Sequence, residues 1–179
     1  MTIRDPLVCT YLAIQSAIRT VHGKEFVVRD DTPNPIEFKK KTLPAANISY
    51  VSGNVDKGLM REYEPHGLID NGNGTFTVGT ESALFDYLIQ VSFFADRPGK
   101  AQQLATAFMA SIESENEIPI PGDKWGETMQ IFLAAPPNPP RGEPDLYQVD
   151  ATYQCTGKLI TEHIVSAVDL SKFHPKVGG

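Results

Sequence analysis

The chain has 179 residues, of which 41% are hydrophobic, and this is enough for one domain with a sizeable core. Its formal net charge is -6, and its basic run Lys39-Lys40-Lys41 favours a solvated loop over a nucleic-acid surface. No apolar run approaches the roughly 20 residues of a membrane span, and the N-terminus lacks the apolar stretch of a secretion signal. We therefore expect a protein of the reducing cytosol, or of a particle assembled there, with Cys9 and Cys155 as buried free thiols.

The N-terminal part of the chain predicts a helix followed by short strands. Asp5 and Pro6 suit the N-cap and the first helical position, and apolar residues then recur every three or four positions until Gly23. Short strands are predicted at residues 26–28 and 47–52, where apolar residues follow turn signals or alternate with polar ones. The helix is amphipathic and should bury one side against a sheet.

A long polar loop and a hairpin come next. Residues 53–65 are polar, charged and without periodicity, which predicts a long loop of the functional or mobile kind. Asn71-Gly72-Asn73-Gly74 lies between two apolar segments, and Asn and Gly accept the positive φ of a hairpin turn. Residues 79–83 are predicted to connect this hairpin to the next strand.

The segment 84–112 is predicted to be the central unit of the fold. Its first half alternates, so that one strand face is uniformly apolar whereas the other mixes Leu84 and Leu88 with polar side chains. Residues 96–99 break the strand, and from Lys100 the apolar period becomes that of a helix. Strand and helix can therefore pack apolar face to apolar face.

The second half of the chain predicts more strands around a proline-rich segment. Residues 128–133 and 146–159 alternate as strands, and 159–168 fit either a strand or a short helix. Residues 134–144 contain five prolines and are predicted to form a stiff, exposed, extended arm, a spacer in preference to an SH3-type ligand. Residues 171–179 are predicted to be a loose tail.

The sequence contains no pattern typical of an enzyme. We find no metal-ligand pair such as HExxH, no phosphate loop and no nucleophile elbow, so we predict no catalytic activity, cofactor or metal. The candidate functional residues are contacts with another subunit or partner: Asp86 and Gln90 on the mixed strand face, Arg61 and Tyr63 in the long loop, and Trp125. Asp86 is expected to pair with a cation of a neighbouring strand or subunit. Trp125 is either a contact anchor or a loop tryptophan tucked onto its own core.

The order of the elements resembles that of a known family. An amphipathic helix, the segment LPAANISY, the long strand LFDYLIQVSFF, a polar corner and the helix GKAQQLATAFMASI follow one another. This order resembles the tail-terminator or tail-completion proteins of long-tailed bacteriophages and the related minor tail and head–tail joining proteins. The resemblance implies a sheet packed against helices and a ring of subunits, commonly a hexamer, that caps the tail tube and meets the head-side connector.

We therefore predict an α+β fold with a mixed, mainly antiparallel sheet packed against two amphipathic helices, with extended loops, in a single domain over residues 1–179. The predicted function is that of a structural virion protein in the tail or neck, assembled in the host cytoplasm. Its implied partners are its own copies, the tail tube protein and neck proteins, with DNA passing through the ring without sequence-specific binding and no membrane partner. The alternative is another minor tail or neck protein, or a non-enzymatic α+β protein-binding module.

Overall fold

The computed structural model describes residues 5–30, 42–56 and 65–166. Over these ranges the fold is α+β, as predicted, with two helices and a mixed sheet of eight strands. In chain order the elements are α1 (Pro6–His22), β1 (Val27–Asp30), β2 (Ala45–Asp56), β3 (Pro65–Asp70), β4 (Thr75–Ala95), α2 (Pro98–Ser114), β5 (Glu117–Pro119), β6 (Thr128–Ala135), β7 (Arg141–Glu143) and β8 (Leu146–Ser166).

The sheet is organised around two strands of 21 residues each, β4 and β8. They pair antiparallel along their whole lengths, from Thr75 opposite Ser166 to Ala95 opposite Tyr147. The strand order is β1-β2-β4-β8-β6-β5, with β3 also beside β4 and β7 also beside β8. β1 runs parallel to β2, and the pairs β2–β4, β3–β4, β5–β6, β6–β8 and β7–β8 are antiparallel.

The core lies between one side of this sheet and the two helices. Alternate residues of β4 are buried there, as the apolar strand face predicted, and Phe93 is completely buried. Phe108 of α2 joins the two long strands, because its ring centroid lies 5.8 Å from that of Phe93 and 5.4 Å from that of Tyr153. Burying each such side chain contributes about 1.5–3 kcal/mol, so this contact is a main source of stability.

Local chemistry explains where the helices begin and end. Asp5 caps α1, because its Oδ1 accepts a hydrogen bond of 2.9 Å from the backbone N–H of Leu7. Gly23 ends the helix at a φ of 103°, a value that a side chain would disfavour. α2 begins at Pro98, two residues before the predicted start. Neither helix in the described ranges is long and apolar enough to cross a membrane.

Two strands are longer than the sequence predicted. β4 includes residues 79–83, which were predicted to be a connection, and a bulge between Glu81 and Ala83 shifts its register there. β2 continues to Asp56, so residues 53–56 of the predicted loop 53–65 are in a strand. These residues are mostly exposed, and a strand exposed on both faces carries no apolar alternation. Residues 57–64 lie outside the described part of the chain.

The C-terminal half also differs in detail. Residues 159–166 continue β8 as a strand, which decides between the two predicted alternatives. The proline-rich segment 134–144 ends in β7, which pairs with β8 from Arg141 opposite Gln148 to Glu143 opposite Leu146. This end of the segment is therefore held in the sheet and is not a free arm. The predicted tail 171–179 lies outside the described residues.

Candidate interaction surface

The side of the sheet that faces away from the helices is the candidate functional surface. We call it the open face, and it is formed by alternate residues of four neighbouring strands that are half-buried or exposed. Its members are Ser52, Asn54, Leu84, Asp86, Leu88, Gln90, Gln130, Phe132, Thr152, Gln154, Thr156 and Lys158. Most of these side chains are polar and uncharged, so the surface can make many hydrogen bonds at a small desolvation cost.

The cross-strand register places apolar and polar groups side by side on the open face. One row crosses four strands and consists of Ser52, Leu88, Gln154 and Phe132. Phe132 is 42% exposed, which is a large fraction for an aromatic side chain on a sheet. Side chains in adjacent positions of such a row lie about 5 Å apart and act as one surface. The row therefore presents an aromatic and an aliphatic group in a hydrophilic setting.

Asp86 stands in the next row and forms no ion pair with any described residue. Its two carboxylate oxygens each accept a hydrogen bond of 3.1 Å from Nε2 of Gln154, a neutral amide. The ion pair that we predicted for Asp86 is thus replaced by an amide contact in this chain. Its charge acts through the sheet on Cys155, where burial first and Asp86 second raise the thiol pKa to about 12.

One end of the open face is closed by the proline-rich segment. We call residues 136–143 the proline strap. Asn138 donates its backbone N–H to the carbonyl of Asp150 at 3.0 Å, and its Oδ1 accepts from the backbone N–H of Asp150 at 2.9 Å. The Asp150 carboxylate also binds Arg141 and accepts from Gln148 at 2.6 Å. The strap is therefore fixed to β8 at this end: it is largely exposed, as predicted, but it is attached to the sheet and is not a free arm.

Gln90 lies between the exposed and the covered parts of the open face. It is half-buried, and its Nε2 donates a hydrogen bond of 3.1 Å to Oγ of Ser92, which is buried. Asp86, four positions earlier on the same strand, is fully in the exposed part. A partner can reach Asp86 directly, whereas it meets Gln90 at the edge of the strap.

Trp125 is at the other end of the sheet and packs on its own chain. Its ring covers Gly67 and Gly79, which are opposite each other on β3 and β4, and a Cβ at either position would meet the indole at 2.7 or 2.9 Å. The indole N–H donates to Oε1 of Glu162 at 3.2 Å, next to Gly79 on β8. The loop tryptophan is thus tucked onto the sheet, and a partner contact by Trp125 stays a prediction.

Charged side chains surround this tryptophan. His66 lies between two carboxylates, with Nε2 at 2.8 Å from Glu127 and Nδ1 at 3.6 Å from Glu81. Lys158 binds Glu81 at 2.7 Å, and this hydrogen bond is the main reason why the pKa of Glu81 is lowered. Asp123 orders the loop, because its Oδ2 accepts from two backbone N–H groups at 2.9 Å each. The loop before β6 is therefore firmly attached to β3, β4 and β8.

The predicted contact residues do not form one cluster. Asp86 and Gln90 share the open face, Trp125 lies at the end of the sheet, and Arg61 and Tyr63 lie outside the described residues. The sequence reasoning also missed a second exposed apolar surface, on α1, where Val8 and Leu12 are exposed. Their signal was present in the sequence, since both are apolar residues away from the core-facing stripe of the helix.

The described residues contain no group of three or more His, Cys, Asp or Glu side chains arranged to hold a metal ion. The open face does contain a groove at its exposed end, lined by Asn54, Leu84, Asp86, Gln130 and Lys158 among others. The groove is an open surface feature, and the carboxylate of Asp86 in it forms no ion pair with a described residue. Its chemistry suits a contact with a protein surface better than the enclosure of a small molecule.

Comparisons with known proteins support the fold. No family model matches the chain, and no curated protein is similar enough to match it. A solved structure described as the sheath/tube terminator of an extracellular contractile injection system, PVC, in the extended state aligns with 93% of this chain at 14% identity and a TM-score of 0.50.

This chain spans 60% of the length of that terminator. A chain from the virion of a native gene transfer agent particle aligns with 82% of this chain and 92% of its own length, at 14% identity and a TM-score of 0.37. The alignment over most of the chain to the sheath/tube terminator shows that this protein has a tail-terminator-like fold.

Proposed function

We propose that the chain is a structural, non-catalytic subunit of a phage-type tail, which forms a ring, caps the tail tube and joins it to the head or neck. The observation that carries this proposal is the fold similarity to a sheath/tube terminator over 93% of the chain. Folds host many functions, so the proposal also needs support from the chemistry of the surface.

The open face provides that support. Specific protein interfaces combine aromatic side chains with polar groups that form hydrogen bonds across the contact. Phe132 and Leu88 supply the apolar part of such a surface, and the amide and hydroxyl groups around them supply the polar part. Asp86 adds a charge that forms no ion pair with any described residue. A monomer would leave the exposed end of this surface in water.

The positions of the two most strongly perturbed groups favour a structural role over catalysis. Catalytic sites usually combine shifted pKa values with access to a substrate. Burial raises the pKa values of both Tyr153 and Cys155, yet both side chains are fully buried on the helix-covered side of the sheet. They stay neutral core groups at physiological pH. Burial in the core is the main cause of both pKa shifts, so the shifts do not require a catalytic function.

In this proposal the partners are other copies of the chain, the tail tube protein and the neck or connector proteins. Genomic DNA passes through the ring without sequence-specific contacts, and the protein is located in the virion after assembly in the host cell. The net charge of -6 is compatible with DNA passage, because an acidic surface does not hold a polyanion.

Co-sedimentation with tail tubes, followed by electron microscopy of the tube ends, tests this function. The chain should pellet with tubes in a saturable manner, and the images should show added density at one end only. The variant Phe132→Asp should keep its fold and lose binding or assembly, whereas Gln103→Asp on the outer side of α2 should behave as wild type. A chain that never joins tubes or virions contradicts the proposal.

A further inference from the structure

We propose that the outer side of α1 in one copy docks on the open face of the next copy. This inference rests on the proposed function, because it names the contact that would build the ring. It starts from two surfaces of this chain that have no cover among the described residues: the exposed stripe of a helix and the exposed end of a sheet.

The stripe on α1 changes from apolar to cationic along the helix. Val8 and Leu12 are 51% and 43% exposed, one turn apart, and Ser16 and Arg19 continue the same line. Lys24 follows just after the helix and borders the same groove as Leu12 and Arg19. Arg19 and Lys24 are exposed and form no ion pair with any described residue. We call this set of side chains the α1 stripe.

The exposed end of the open face has the complementary character. Phe132 and Leu88 form its apolar part, and Leu84 is 41% exposed at the end of the groove. Asp86 lies between the two leucines, and among the described residues its carboxylate accepts hydrogen bonds from the amide of Gln154 alone. Apolar side chains on one surface thus correspond to apolar side chains on the other. Two cations on the helix correspond to a carboxylate on the sheet, and none of these groups forms an ion pair with a described residue.

The dimensions of the two surfaces agree. Val8 and Arg19 are about 16 Å apart along the helix, at 1.5 Å per residue. Phe132 and Asp86 are separated by two strands and two strand residues, which gives about 12 Å. With Val8 over Phe132 and Leu12 between Phe132 and Leu88, Arg19 lies about 4 Å beyond Asp86 along the helix, within the reach of an arginine side chain.

The two surfaces point in opposite directions, so one copy cannot satisfy itself. The inner side of α1 is fully buried on the helix-covered side of the sheet, as Ala13, Ile14 and Ile18 show. Its outer stripe therefore faces away from the sheet, whereas the open face looks out from the other side. A contact between different surfaces of identical subunits repeats head to tail, and it closes into a ring when the rotation permits.

Charge reversal tests this contact. Arg19→Glu alone and Asp86→Arg alone should each raise the concentration needed for assembly about tenfold or more, because like charges then meet at every interface. The double variant with both changes in one chain should assemble again. A mixture of the two single variants should also assemble, since each interface then joins unlike charges. The measurement is sedimentation velocity of the chain over a concentration series.

The control is Arg97→Glu, an exposed cation at the start of α2 that makes no side-chain capping bond and lies off the α1 stripe. It should assemble as wild type, and circular dichroism should show that all variants are folded. If wild type assembles and the single variants assemble equally well, the docking inference is wrong while the tail function stands. If wild type binds tail tubes as a monomer, the docking is also wrong. A monomer that binds no tubes overturns both proposals.

Discussion

The two sides of the β4–β8 ribbon offer a direct comparison, because they belong to the same strands and differ only in alternate residues. Phe93 points to the helices and is completely buried, whereas Leu88, an odd number of positions away, points to the open face and is half-buried. One side has aromatic and aliphatic groups in close contact with α1 and α2. The other has amides, hydroxyls, two partly exposed leucines, Lys158 and the carboxylate of Asp86, which forms no ion pair with a described residue.

This difference separates the sources of stability from the sources of recognition. Substitutions on the helix-covered side should unfold the protein, whereas those on the open face should leave it folded and change what it binds. The predictions below test this separation, beginning with the substitution that should have the largest effect.

Phe93→Ala should lower the free energy of unfolding by about 3–5 kcal/mol, because it leaves a cavity next to Phe108. Leu88→Ala on the open face should cost less than about 1 kcal/mol and should weaken assembly instead. Urea denaturation followed by circular dichroism measures both. Equal losses of stability from the two substitutions would remove the basis for treating the sides differently.

Gly79→Ala should cost about 1–3 kcal/mol, because its new methyl group would lie 2.9 Å from the ring of Trp125. Trp125 is the only tryptophan, so its fluorescence emission should shift to longer wavelength as the indole ring is displaced from the sheet. Gly99→Ala is the matched control, since a Cβ there meets nothing within 4 Å. An unchanged emission spectrum in Gly79→Ala would show that the ring is not held as described.

Asn138→Ala should cost about 1 kcal/mol, the value of a typical hydrogen bond, because it removes the acceptor for the backbone N–H of Asp150. Hydrogen exchange at Asp150 should become faster as the proline strap loosens. Asn116→Ala is the control, an exposed asparagine whose side chain makes no hydrogen bond to a described residue. Identical exchange in both variants would mean that the strap does not depend on Asn138.

Lys158→Gln should have the smallest effect, under about 1 kcal/mol at neutral pH, because Lys158 and Glu81 are both partly exposed. Lys158 lowers the pKa of Glu81, so the pair stabilises the fold above the ordinary glutamate pKa, and this contribution is lost as the pH falls through the folded pKa. An NMR titration should show a higher Glu81 pKa in the variant. No change in that titration would contradict the contact.

The elements with a clear apolar period were predictable from the sequence. The alternation around Phe93 gave the centre of β4, the capping chemistry of Asp5 gave the start of α1, and the Asn-Gly turn gave the β3–β4 hairpin. The bulge at Glu81 hid the rest of β4, because an extra residue breaks the two-residue period that identifies a strand. A register shift between Tyr50 and Ser52 interrupts β2 in the same way, and beyond it Gly53 lies in an exposed segment with no apolar face.

The candidate surface was only partly predictable. Asp86 and Gln90 were placed correctly on the mixed side of β4, because residue parity decides which face a strand residue joins. The partner of Asp86 could not be found in this way, since it depends on the register between β4 and β8, which brings Gln154 beside it. The prolines of the strap correctly indicated that the segment is largely exposed. The hydrogen bonds between Asn138 and Asp150 join two separate segments, so they could not be predicted in this way.

The mass of the chain in solution tests the central claim most directly. Sedimentation velocity or light scattering of the 19.7 kDa chain should give a closed oligomer whose mass is a whole multiple of that value and does not grow further with concentration. Images of the same sample should show rings. A species that stays at 19.7 kDa at every concentration, with or without tail tubes, would contradict the account.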